Sequence, residues 1–137
     1  MAEGLSAYLS NSWLDALGNN TSYVVAQVYV KLHVGAPGAL GTANPAIETT
    51  RKAVSFGASS AGVLTTNDAI TWTNIAGSED ANHFTCWDNI TAGNFLFSGN
   101  LTSNPYDAGD TFEIASGNLT ATPVSYTHLT LPTNREV

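Results

Sequence analysis

The clearest pattern in the chain is a strict two-residue alternation. Ala26, Val28, Val30, Leu32 and Val34 fall on one side, and Gln27, Tyr29, Lys31 and His33 on the other. Successive side chains of a strand point to opposite faces. The alternation therefore predicts a strand over residues 23–34, with one apolar face and one wet face. Ahead of it the period changes. Leu5, Tyr8, Leu9, Trp13, Ala16 and Leu17 recur at helical spacing, which predicts a helix over residues 5–17. Gly18, Asn19 and Asn20 supply its stop signal. Such a stripe needs a surface to lie on, either the domain itself or a neighbouring subunit.

Shorter apolar runs follow at residues 51–56, 63–65, 69–73, 83–87, 94–98, 111–115 and 119–123, separated by clusters of Gly, Asn, Ser and Asp. Ile70 and Trp72 alternate, and Phe95, Leu96 and Phe97 make a near-continuous apolar run suited to a buried strand. Short strands at this spacing predict a mainly β fold: an antiparallel β-sandwich or flattened barrel with one N-terminal α-helix. Residues 35–48, with Gly35, Pro37, Gly38, Gly41 and Pro45, show no period and predict a long loop. Loops of that length are usually functional or mobile.

Composition narrows the function. Only 11% of residues are charged while 43% are hydrophobic, so the polar surface must be built from Asn, Thr, Ser and Gly. The length of 137 residues suits one domain. The formal net charge is −7, and the cations are Lys31, Arg51, Lys52 and Arg135. Nucleic-acid binding needs many cations to replace phosphate counterions, so neither nucleic acid nor an anionic membrane is an expected partner. The N-terminus lacks the basic start and apolar stretch of a signal peptide. The expected site of synthesis is a cytoplasm, with no secretion signal to carry the chain elsewhere.

No constellation for chemistry emerges. His83 and Cys86 are the one His/Cys pair at ligand-like spacing, but three residues apart on a strand they face opposite ways. Cys86 sits in an apolar run and reads as an inert core thiol. Glu79, Asp80, Asp107 and Asp110 lie in turns, where carboxylates cap backbone and aid solubility. No catalytic residue, cofactor or metal is expected. Tyr29 on the polar face, beside Lys31 and His33, is the better lead, because tyrosine is enriched at interfaces. With Leu9 and Trp13 on the helix stripe, these make five candidate interface residues: Leu9, Trp13, Tyr29, Lys31 and His33. His33 is read as a solvated strand residue, His83 as a turn-edge one.

The order of the pieces resembles a family of small bacteriophage tail-fibre or minor tail proteins. The resemblance runs over about residues 5–123. It rests on the helix around residues 8–17, the strand and loop Val28-Tyr-Val-Lys-Leu-His-Val-Gly-Ala-Pro-Gly38, and Gly41-Thr-Ala-Asn-Pro45. It continues through Glu48-Thr-Thr-Arg-Lys-Ala-Val-Ser-Phe56, Ile70-Thr-Trp72, His83-Phe-Thr-Cys-Trp-Asp88, Gly93-Asn-Phe-Leu-Phe-Ser-Gly99 and Ala108-Gly-Asp-Thr-Phe112. Family members more often carry an acidic residue at the position of Ala36, so this loop is a poor candidate for a cation. The resemblance implies a non-enzymatic virion protein that assembles with copies of itself, a trimer by analogy with fibres, and with other virion proteins. A capsid decoration protein and a carbohydrate-binding module contacting host-surface glycan are the alternatives. Residues 124–137 resemble a translated sequencing adapter of the transposon type, so the native domain is taken as residues 1–123 and the tail as non-native.

Overall fold

In a computed structural model, which describes residues 4–122, the chain is mainly antiparallel β with a single helix near its N-terminus. The expected strand and helix composition is therefore what the chain adopts. A short strand β1 (Gly4–Leu5) precedes the helix α1 (Ala7–Gly18). The remaining strands are β2 (Val28–His33), β3 (Lys52–Val54), β4 (Leu64–Thr65), β5 (Ile70–Trp72), β6 (His83–Trp87), β7 (Phe95–Asn100), β8 (Phe112–Ile114) and β9 (Thr120–Ala121).

Five strands form one sheet in the order β1-β7-β6-β2-β3, and two ribbons, β5 with β8 and β4 with β9, complete the fold. Register places Val30 opposite Cys86 and Leu32 opposite Phe84, so these four side chains share one face. They form a single core cluster with Val54, with Ile70 and Trp72 of β5, and with Phe112 and Ile114 of β8. That core between sheet and ribbon is the sandwich that the apolar side of the β2 alternation anticipates. Trp72 is satisfied at its polar end, because its Nε1–H donates to the Thr50 carbonyl at 2.9 Å.

α1 starts where its sequence permits. The hydroxyl of Ser6 accepts from the amide of Leu9 at 3.0 Å, an N-cap bond. The amide of Ser6 donates to the Leu96 carbonyl at 2.8 Å, which ties the helix start to β7. Gly18 remains helical, and the left-handed residue after the helix is Asn20, with φ of 52°. The sequence pattern misses β1, because two residues carry no period. Expectations for residues 123–137, including the adapter reading, lie outside the described residues.

The second face of the sheet departs from expectation. Gln27, Tyr29, Lys31 and His33 share the side expected to be wet, but His33 is fully buried. The cause is the loop that follows β2. Its far end returns beside the same strand: the Val34 amide donates to the Asn44 carbonyl and the Ala46 amide to the Leu32 carbonyl. Between these points the loop folds across the face. Gly41 packs so closely on the Phe95 ring of β7 that a Cβ there would lie 2.6 Å from a ring carbon. Thr85, Trp87, Phe95 and Ser98 are buried as well. The loop is the lid of a second, polar-lined core.

Candidate functional site

Two surfaces bring the sequence-nominated residues to prominence. The first is α1. Of its apolar residues only Leu9 is buried; Tyr8 is 40%, Trp13 42%, Leu14 62% and Leu17 86% exposed. Leu9 contacts its own fold: at the first turn, held by the Ser6 bonds, its side chain is drawn inward, where it lines the groove described next. Trp13 stands further along, at the mouth of a groove of about 890 Å³. The groove is walled by Leu5, Leu9, Trp13, Leu64, Phe84 and Phe97. No helix among the described residues is long and apolar enough to cross a membrane.

The second surface is the part of the β2 face that the loop leaves open. Tyr29 lies opposite Ala53 on one side and Trp87 on the other, while Lys31 lies opposite Thr85. Both are half-buried. Continuing the β2–β3 ladder by one residue sets Arg51 beside Lys31. The guanidinium of Arg51 reaches over the Trp87 ring, 4.2 Å from its centroid, a favourable cation–π distance. Its Nη1 donates to the carbonyls of Asn89 at 2.8 Å and Ala92 at 2.7 Å. Arg51 thus crosses β2 to hold the β6–β7 turn, a role that nothing in the sequence singles out, since it depends on strand register.

His33 belongs to neither surface. Its Nε2 lies 2.9 Å from the Thr85 hydroxyl and its Nδ1 2.8 Å from the Ala43 carbonyl. The Thr85 oxygen also accepts from the Trp87 indole N–H at 2.7 Å. A carbonyl can only accept, so the neutral ring carries its proton on Nδ1 and takes the Thr85 hydroxyl proton at Nε2. Burial lowers its pKa from the ordinary value; nearby Lys31 and His83 act in the same sense, and the hydrogen bond to Ala43 opposes them. The correction to the solvated reading is complete: His33 is a strut between the sheet and its lid.

The other nominated groups are structural too. Cys86 faces the core with Val30, and burial pushes its thiol well above the ordinary value, as for a core thiol. His83 stands on the opposite face of β6. Among the described residues no three His, Cys, Asp or Glu side chains gather closely enough to hold a metal ion. Glu79 accepts the amides of Ile47 and Glu48 and the Tyr106 hydroxyl. Asp80 accepts the amide of Asn104 at 3.1 Å and the Ser103 hydroxyl. Glu48, buried and unforeseen, accepts the amides of Thr50 at 3.2 Å and Ala76 at 3.0 Å. Burial raises its pKa, but these hydrogen bonds outweigh burial and hold the carboxyl below the ordinary value. The carboxylates cap loops.

Comparison with the curated proteins finds no match. A family model described as Podophage GP4 fiber I protein gp80 matches residues 4–122, the whole of the described structure, and the chain accordingly belongs to this family of phage fibre proteins.

Proposed function

We propose that this phage structural protein is a non-catalytic fibre subunit that associates with further copies of itself through α1, in a trimer as the first expectation, and that the same assembly joins it to other virion proteins. The observation that carries the reading is the helix: Trp13, Leu14 and Leu17 lie 42%, 62% and 86% exposed on one short element. Contiguous apolar surface of this kind marks an interaction site. The second copy is the favoured occupant on charge grounds. Two chains of net charge −7 repel each other over most of their surfaces. α1 carries Asp15 as its one acidic residue and no basic one, so it is where two copies can approach with least penalty. The groove beside Trp13 gives an apolar side chain from the partner a place to enter.

Sedimentation velocity across a concentration series tests this. The wild type should form a defined oligomer, and the double substitution Leu14→Glu with Leu17→Glu should return it to monomer. Both positions are exposed, so the variant should keep the wild-type circular dichroism. A wild type that stays monomeric at high concentration overturns the reading.

A further inference from the structure

We propose that Lys31 and Arg51, flanked by Tyr29, form a binding site for a single acidic group, a carboxylate or a phosphate, carried on a carbohydrate chain. This deepens the fibre reading, on which it rests, by assigning a ligand class to the open part of the β2 face.

The argument begins with where the cations are. Among the described residues the chain has three, Lys31, Arg51 and Lys52, against a formal net charge of −7. All three sit on β2 or at β3. Lys31 and Arg51 are cross-strand neighbours on one face, an arrangement that destabilises a sheet when both are charged and nothing lies between them. Glu79, Glu48 and His33 each have their polar atoms matched to specific partners. Lys31 and Arg51 are not so fully matched. Among the described residues the Lys31 ammonium has no hydrogen bond and no ion pair. Arg51 spends Nη1 on two carbonyls and leaves Nη2 and Nε open. The acid nearest in effect is Asp88, whose two oxygens take the backbone and side-chain N–H groups of Asn94. Burial weakens the hold of Lys31 on its proton, and Arg51 weakens it further. An external anion would relieve both effects.

Charge decides what kind of anion. A polyanion meets three cations and a strongly acidic remainder, so it is repelled. The site suits a chain that is mostly neutral and bears an isolated acidic group. Tyr29 supplies the rest. It is half-buried in the row beside Lys31, and its ring offers an apolar flank for the C–H face of a sugar while the two cations hold the acid. Arg51 is pre-positioned on Trp87, so little side-chain freedom remains to be lost on binding.

Calorimetric titration distinguishes the sources of the acid: trigalacturonate for a carboxylate, a glycerol-phosphate oligomer for a phosphate, and maltotriose as the neutral control. At least one acidic oligomer should bind at least tenfold more tightly than maltotriose, and its affinity should fall as salt is raised. Lys31→Gln should lose at least tenfold and Tyr29→Leu a smaller factor. Lys31→Gln should melt at or above the wild-type temperature, since it removes a half-buried charge. Its sedimentation should be that of the wild type, which separates this proposal from self-association through α1. Three results would overturn it: neither acidic oligomer binding at millimolar concentration, Lys31→Gln binding as well as the wild type, or Lys31→Gln changing the oligomer instead. The last would make an acidic side chain of a second copy the true occupant.

Discussion

His33 shows how much one residue can hold. Its ring closes a directional chain from the Trp87 indole through the Thr85 hydroxyl to the Ala43 carbonyl. Protonation would add a donor at Nε2, where the ring now accepts, and place a charge in a buried site beside Lys31. Because its folded-state pKa is depressed, the unfolded chain takes up the proton first as pH falls. Stability is therefore fully present above the ordinary histidine value of about 6.5 and declines as pH drops below it, by at most about 1.4 kcal/mol per pH unit. Glu48 is also depressed, but a carboxyl loses its contribution only below its own ordinary value near 4.5, so the two windows separate. Urea unfolding between about pH 7.5 and 5 should show the decline. His33→Gln should be less stable at pH 7.5 by about 1–3 kcal/mol and should flatten the slope. A slope that survives the substitution would refute the assignment to His33. In the sequence His33 is legible as a polar-face residue and no more, because nothing local says that a loop closes over that face.

At the scale of elements the legible and illegible parts divide by range. The alternation in Val28–His33 and the pairing of Ile70 and Trp72 with one core are local signals, and the strands follow them. β1 has no such signal; it exists because Gly4 and Leu5 meet Ser98 and Phe97. The lid formed by the loop after β2 is intermediate. Its glycines mark a turn, but their purpose appears only when Gly41 is seen against Phe95 with φ of 71°. Gly41→Ala must bear both a left-handed backbone and a steric clash. It should destabilise the domain by about 2–3 kcal/mol, measured by chemical unfolding, and speed hydrogen exchange at the Val34 and Ala46 amides. Gly62, also left-handed but with open space around it, is the control and should cost about 1 kcal/mol from backbone strain alone. The neighbourhood of Lys31 and Arg51 was illegible for a related reason. Each is visible in the sequence, but their adjacency is a property of register.

For the whole molecule, charge sets opposite salt responses at its two surfaces. Self-association through α1 works against the repulsion of two acidic chains, and added salt screens that repulsion at a Debye length of about 8 Å near physiological ionic strength. The oligomer should therefore tighten as sodium chloride rises, whereas an acid held by Lys31 and Arg51 should loosen. Sedimentation and calorimetry in one salt series read both. An oligomer that weakens with salt would mean that ionic contacts, not the apolar helix, hold it together.

The groove beside Trp13 draws its walls from segments far apart in the described sequence: Leu5 and Leu9, then Leu64 and Phe84, then Phe97 and Thr120–Thr122. β1 cannot pair until β7 exists, and β4 cannot pair until β9 does. During synthesis the helix emerges well before the strands that complete the groove it borders. If partners are recognised through this groove, a half-made or truncated subunit offers its helix without the socket and cannot close a ring with finished copies. The order of strand pairing would then act as a quality check on assembly, enforced by topology.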